Sequence, residues 1–574
     1  MAAAVAAGAD AVYFGVEDLN ARAKADNVAQ EQLPAVVDWL HGQRVNAHVA
    51  LNVPITEASF PRAAAILATS WLSGADAVIV RDPLLMTLCR EVFPGMEVHA
   101  STQFGVVGPA MARRAQALGC SRAILARELS IRSIRSIAAA TPGLDLEAFV
   151  FGALCFGLSG RCLLGEAVGG RSGNYGACLQ ACRLEWFDVA GRSLGRLFSM
   201  KDLDLVVRIP ELAGAGVMSL KIEGRLKSPA WVACVTQWVR RASEAWRTGG
   251  LSRSDLAAFH RDVSVLFSRQ LTDALLDGRT GREVLTAPAV SGHMGLAVRG
   301  VSVKAVRGVP AVEFVAPVAL SVRDGLLLWV REPGWPGGPT ELPVAILRML
   351  DAGGRPVPVA AAGAKVTVLV PAAGNRQIAG LSVHSAQSVE RAYLPRAALG
   401  GALRPRAALP RPTYGRVEVA RTEVRISARL GRLEHEASYP IESSAARGAA
   451  LGREQLAPLF GDAAQFDVTP GLFVNPTVLK AARRRFCSEL ESAFRLRLAA
   501  LGHACARALE AHLESHPAAW PRSDAELLAA LPACVSMVTG FQSMRVATSG
   551  RDEFDVQANT KGTSLYWKGP KARS

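Results

Sequence analysis

At roughly 150 residues per domain, 574 residues predict three to four domains. Half the residues are apolar and a fifth charged, no run approaches the roughly 18 uninterrupted apolar residues of a membrane span, and MAAAVAAGADAVYFG runs into a strand without a basic leader. Disorder, a membrane span and a secreted disulfide scaffold are thereby excluded, and a cytoplasmic protein with no obligate protein partner is expected. The formal net charge of +15, carried more by Arg than by Lys, favours a polyanion, of which nucleic acid is the commonest; codon bias toward Ala and Arg is the competing reading.

In chain order, the first 250 residues alternate short apolar strands with amphipathic helices. The strands are AVYFG from Ala11, VNAHVALN from Val45, AVIV from Ala77, EVHAS from Glu97, RAILAR from Arg122, LEAFVFG from Leu146 and SLKIEG from Ser219. Helical patterns between them predict parallel strands joined by crossovers, since a parallel pair cannot be closed by a hairpin. GADAV, at Gly8 and again at Gly74, reads as a recurring turn from helix to strand. A closed parallel barrel uses eight strands. The expected fold class is therefore α/β, a TIM-like (β/α)8 barrel lacking its first strand, which would lie upstream of Met1; a doubly wound open sheet is the alternative. No GxGxxG or Walker sequence follows any strand.

The expected divisions are a barrel over 1–275 with a cysteine-rich insertion at 150–190, a β-rich barrel or sandwich over 276–403, and an α+β domain over 413–540. RPRAALPRP (404–412) reads as a linker between the last two, and 541–574 as a loosely ordered tail. The α+β part carries a basic helix with Arg483, Arg484 and Arg485.

Four of the ten cysteines, Cys155, Cys162, Cys178 and Cys182, crowd into EAFVFGALCFGLSGRCLLGEAVGGRSGNYGACLQACRLEW (147–186), spaced C-x6-C-x15-C-x3-C. The segment begins at a strand's C-terminal end, where active sites of parallel barrels sit. Soft thiolates suit zinc or an iron–sulfur cluster, and a first pair with six residues between its members is too loose for a zinc knuckle, which favours the cluster. Four free buried thiols are the plainer alternative.

GALCFGLSGRCLLG followed by RSGNYGACLQACRLEW resembles the signature of peptidase family U32, the collagenase-like proteases. DAVYFG, ARAKADN, HASTQ, ILARELS, FSMKDL and KIEGRLKSP fall in that family's order. The resemblance covers residues 1 to about 275, and the continuation to about 540 is similar to a long subgroup with a middle "collagenase" domain. It implies a (β/α)8-like barrel, a [4Fe–4S] cluster and action on RNA. The expected reaction is hydroxylation of a pyrimidine at carbon 5, cytidine of 23S ribosomal RNA foremost, with prephenate as the oxygen donor. Carried over by motif, Cys155, Cys162 and Cys178 are cluster ligands and Cys182 the fourth. Cys234 is held in reserve, because some relatives place a cysteine at the position of Val232, and two steps along a helix turn a side chain roughly 200°. Three departures stand out: Phe151 where the family has His, Tyr175 where it has Arg, and the absent first strand with its APAG turn.

At the expected barrel mouth, Glu223 and Arg225 end the last strand and Lys221 precedes them by one alternation. Arg225 could grip an anion bidentately, or the two could form a Glu–Arg pair that simply closes the barrel. His99, Ser101 and Gln103 alternate onto one face of HASTQ. The expected catalytic residues are Glu223, Arg225 and His99, and the expected substrate contacts are Arg171, Lys221 and Gln103; Arg22 and Lys24 could also reach an anion. Besides the RNA hydroxylase, two readings stand. One is a peptidase with Cys162 or Cys178 as nucleophile and His99 as base; the other is a non-catalytic RNA-binding or ribosome-assembly factor.

Overall fold

Seven strands run parallel, in the sequence order expected: β1 (Ala11–Gly15), β2 (Asn46–Leu51), β3 (Ala77–Val80), β4 (Glu97–Ala100), β5 (Arg122–Ile124), β6 (Asp145–Ala153) and, after the insertion, Val217–Glu223. The computed structural model describes residues 1–515 except 18, 24, 189, 247–249, 288–291, 332–338, 395–411 and 447–448, and adds the strand backbones Met544–Ala547, Glu553–Ala558 and Leu565–Trp567. The insertion carries α7 (Leu164–Gly169) and a hairpin of β7 (Glu185–Phe187) and β8 (Ser193–Gly195). β9 (Asp202–Asp204) then returns antiparallel onto the end of β6, so that Val217–Glu223 is β10.

Helices α1 (Ala2–Ala6), α2 (Leu33–Gly42), α3 (Phe60–Ser73), α4 (Pro83–Val92), α5 (Pro109–Ala117) and α6 (Ile131–Ala140) alternate with the strands; α8 (Ile209–Gly214), α9 (Pro229–Ala245) and α10 (Arg253–Phe267) follow the insertion. Their starts are chemically marked. Asp82, Ser130 and Ser228 accept the backbone N–H of Leu84, Ser133 and Trp231, each cap contributing about 1 kcal/mol. GADAV is a turn both times: Gly74 ends α3 at φ 87° and Gly8 follows α1 at φ 86°, a backbone region that side-chain-bearing residues rarely adopt.

The sheet runs β1-β2-β3-β4-β5-β6, with β10 on the far side of β6. Among the described residues no backbone ladder joins β10 to β1, yet side chains cross between them. The Tyr13 hydroxyl donates to the Ile222 carbonyl at 3.2 Å, and the Lys221 ammonium lies 4.0 Å from the Tyr13 ring centre.

The enclosed face carries a polar network, in which the buried His99 Nδ1 and Arg122 Nε have no hydrogen-bond partner among the described residues. Lys221 Nζ donates to Glu147 Oε1 at 2.6 Å, and Ser219 and Arg122 reach Glu147 Oε2 at 3.0 and 3.5 Å. Burial alone raises the Glu147 carboxyl, but Lys221 holds it down at about 2. His99 has no exposed surface, meets Glu97 at 3.1 Å and stands edge-on to His48 at 4.9 Å. Burial pushes both rings down to about 4.

Two further units dock on this sheet. Strands between Leu296 and Ser385 enclose a second apolar core around Phe314, Leu328 and Val368. Tyr393 ties that unit to α9 and α10 by hydrogen bonds with Trp238 and Asp262 at 2.9 and 2.7 Å. The third unit packs Thr413–Val419, Glu423–Leu430 and Leu433–Pro440 on the helix Pro476–Ser515. That helix continues past its own unit, so that Leu501 and Cys505 join the core of the first. The expected linker lies outside the described residues except at its last position. Most of the expected tail does too, but three of its segments are strands, and Met544–Ala547 pairs with β7. No helix of the described residues is long and apolar enough to cross a membrane.

The buried histidines give stability a pH window. Both are neutral when folded at about 4 and protonate near 6.5 when unfolded, so stability is fully present above 6.5 and falls as pH drops toward 4. The expected slope is about 1.4 kcal/mol per pH unit per histidine. His293 is pushed down to about 4 in the same way, so urea midpoints between pH 7.5 and 4.5 should fall accordingly, and His99→Gln should flatten the dependence by about a third; an unchanged slope in that variant would contradict the assignment.

Candidate active site under a cysteine-bearing cap

β6 delivers Cys155 two residues beyond its last paired position, and the chain from there to Arg183 folds back across the C-terminal strand ends. Three strand ends hold it in place. Glu128, after β5, accepts from the Ser159 N–H at 2.8 Å and its hydroxyl at 2.7 Å. Arg81, after β3, donates to the carbonyls of Gly160 at 3.1 Å and Asn174 at 3.4 Å. After β4, the Gln103 carbonyl lies so close that a Cβ on Gly160 would sit 2.0 Å from it, and Gly160 is also at φ 73°. Arg183 closes the loop on itself, donating to Leu154 O at 2.8 Å and to Met200 O.

Beneath the cap, Glu223 is shared by two guanidiniums, Arg127 at 2.8 Å and Arg22 at 3.1 Å. Burial alone raises its carboxyl, but Arg22, Arg127 and Arg225 hold it at about 2, so it is an anion at any physiological pH. Arg225 does not pair with it in the simple way the sequence allowed. Its fork goes to the amide oxygens of Asn20, at 2.9 Å, and Asn27.

Cys155 and Cys178 are exposed, Cys162 and Cys182 half-buried. Burial pushes the Cys162 thiol up and the Cys182 thiol to about 11, and each feels the charge of its neighbours in the cap. The donor chemistry suits a soft metal or cluster: four sulfurs, the N–H groups of Leu164 and Gly165 on Cys162, the Gln180 N–H 3.3 Å from Cys178 Sγ, and Arg127 3.5 Å from Cys155 Sγ. In the described conformation no three His, Cys, Asp or Glu side chains among the described residues are gathered closely enough to hold a metal ion. Joint ligation requires the cap to draw its thiols inward.

The remaining expected residues are scattered. Lys221 lies on the same face of the strand as Glu223 but one alternation further from the rim, and is committed to Glu147. His99 lies in the enclosed interior against Glu97, which removes it from reach as a base for the cap thiols. Cys234 is fully buried on α9 with Tyr393 and Asp262 as its neighbours, so the reserve ligand falls away. Arg171 is exposed on the cap, and Gln103 lies under it with a buried, unpartnered Oε1. Phe151 packs outward on Trp231 and Phe259, away from the mouth. Lys24 lies outside the described residues. Arg127 and Glu128 were missed, although ILARELS ends a strand and its next two polar residues had to reach the rim.

The Gly160 contact yields a sharp test. Gly160→Ala should undock the cap and speed tryptic cleavage at Arg161 and Arg171 several-fold. Gly170→Ala, equally left-handed at φ 62° but with open space around it, should not. Equal cleavage of both variants would mean that the close approach to Gln103 does not hold the cap.

Residues 1–286 match the model of peptidase family U32. The chain is 34% identical over 289 residues to the 23S rRNA 5-hydroxycytidine C2501 synthase of Escherichia coli, covering 48% of this chain and 44% of that protein. It is 32% identical to the tRNA hydroxylation protein P1 of Bacillus subtilis, covering 42% of this chain and 60% of the relative. It is 30% identical to a collagenase of Porphyromonas gingivalis, covering 48% and 70%. The match thus spans about half the length of the first two relatives. A solved U32 peptidase aligns at 16% identity with a TM-score of 0.23, covering 26% of this chain and 63% of that one. With a cysteine cap seated on parallel strand ends and relatives of this kind, the chain belongs to peptidase family U32.

Proposed function

We propose that this chain is an RNA-modifying enzyme that hydroxylates a pyrimidine at carbon 5, with cytidine of 23S ribosomal RNA the first candidate, in the cytoplasm. The observation that carries the reading is the cap itself. A loop bearing four thiols is tethered across strand ends that also carry a buried, permanently ionised Glu223 and its two arginines. The hydroxylation named in two relatives supplies the reaction class. The proposal takes the sheet as a TIM-like barrel without its first strand, because β1 and β10 face each other across a gap bridged by Tyr13. It also takes 276–403 and 413–540 as separate domains, each with a core of its own.

Cys155, Cys162, Cys178 and Cys182 would hold a [4Fe–4S] cluster, which supplies electron-transfer or Lewis-acid chemistry when bound. The protein's own residues do the positioning. Arg127 reaches both Glu223 and the Cys155 sulfur, fixing the cap over the carboxylate. Arg225, held by two amides rather than by a carboxylate, keeps its charge available to an anion at the mouth. A base inside an RNA helix would have to be unstacked to reach this depth. Prephenate is the oxygen donor that the family resemblance implies.

The collagenase relative favours the peptidase alternative. Against it, the one histidine expected to serve as base is buried beside Glu97, and burial keeps the Cys162 thiol protonated.

Anaerobically purified protein should be brown, with about four irons per chain, and Cys162→Ala should lose most of that iron. Nucleoside mass spectrometry of ribosomal RNA from a deletion strain should show loss of 5-hydroxycytidine, restored by the wild-type gene and not by Cys162→Ala. Hydroxycytidine unchanged on deletion, with gelatin cleavage by iron-free protein, would favour the peptidase.

A further inference from the structure

Beside the Glu223 centre lies a second charged cluster that the proposed reaction does not use. Lys227 follows the KIEGR strand end and sits directly before α9. Its ammonium lies 3.0 Å from the centre of the Phe267 ring and 5.3 Å from that of Trp231. Arg269 approaches the Phe267 ring at 5.0 Å and pairs with Asp202 at 3.0 Å. Arg183 is the third cation, and its bonds go to neutral oxygens, Leu154 O, Met200 O and Ser199 Oγ. Among the described residues neither Lys227 nor Arg183 forms an ion pair.

Three cations thus share one carboxylate, Asp202, in a largely desolvated corner. The nearby Glu223 is already divided between Arg22 and Arg127. Excess charge held out of water is costly unless a counter-ion arrives. Burial pushes the Lys227 ammonium down to about 7, with Arg183 and Arg269 adding to the effect, so a bound anion would restore its charge. The 17-residue α9 starts at the same place and turns the positive end of its dipole toward it, although Ser228 takes the Trp231 and Val232 N–H groups. Arg183 lies within electrostatic reach of Cys182 and Cys155, which puts this corner next to the cap.

We propose that Lys227 and Arg183, beside the positive end of α9, form a phosphate subsite that grips the RNA backbone beside the nucleotide presented to the cysteine cap. The subsite rests on the RNA reading above and names where the strand is held. A phosphodiester suits it better than a base edge, because every polar group offered is a donor.

The test uses the full chain and a short single-stranded, pyrimidine-rich RNA in which one linkage at a time is an uncharged methylphosphonate. Wild-type protein should lose about tenfold in affinity at one linkage, the worth of one charge-assisted contact. Lys227→Gln should bind the all-phosphate RNA about tenfold more weakly and be indifferent to that linkage, and Lys227→Arg should recover much of the loss. Arg183→Lys, milder because Arg183 also holds the cap, should blunt the same linkage effect. A penalty that persists in Lys227→Gln, or no sensitive linkage in wild type, overturns the subsite. So does inorganic phosphate that competes as well as the RNA, which would assign the corner to a free anion. Because binding is read without turnover, a linkage effect in protein that forms no hydroxylated nucleoside would sink the hydroxylase reading alone. Hydroxylation without a linkage effect would sink the subsite alone.

Discussion

One carboxylate organises the mouth of this protein. Glu223 ends β10, Arg22 follows β1 and Arg127 follows β5, so a single anion draws together three strand ends that no backbone ladder joins directly. Between β1 and β10, which no backbone ladder joins among the described residues, this shared charge and the Tyr13 hydroxyl supply the link. Removing such a carboxylate would leave two buried guanidiniums uncompensated, a far larger cost than losing a surface ion pair. The carboxylate is therefore structural in the first place, and any chemical part it plays is that of a fixed negative charge.

The cap depends on that centre. Arg127 reaches from Glu223 to the carbonyl of Ala153 and the sulfur of Cys155, so the position of the first thiol is set by the same guanidinium that neutralises the carboxylate. Glu128, its sequence neighbour, takes the opposite task and anchors Ser159. Two adjacent residues at one strand end thus fix both the depth and the lateral placement of the loop. A cap tethered at several strand ends but rich in glycine can tighten around a ligand without unfolding the sheet.

The sequence made the strands legible because each is a short apolar run ended by turn chemistry, and parallel order follows from the helices between them. The cysteine cap was legible too, as four thiols in a glycine-rich segment at a strand end. What could not be read was depth below the rim. Lys221 and His99 were expected at the mouth, yet β10 shifts register twice against β6, and the polar interior that takes both residues is invisible to a pattern that assumes apolar interiors. Arg127 and Glu128 went unnoticed because charged residues after a strand usually mark solvent. Their partners, Glu223 and Ser159, lie 96 and 31 positions away and no local rule connects them.

The charge surplus can now be divided by location. In the third unit the arginines that do form ion pairs are exposed ones: Arg416 with Glu418 and Asp467, Arg485 with Glu489, Arg495 with Glu491. Arg208 is likewise surrounded by Glu211, Asp273 and Asp277. Such exposed pairs are what a codon bias toward arginine would leave behind, and they contribute little individually. At the mouth the cations are far less exposed, whether paired or not. Arg22, Arg127, Arg183, Arg225, Lys227 and Arg269 surround Glu223 and Asp202, and several are desolvated. Net charge alone could not separate codon bias from a polyanion partner. The placement of desolvated cations can, because bias has no reason to concentrate them where charge is most expensive to hold.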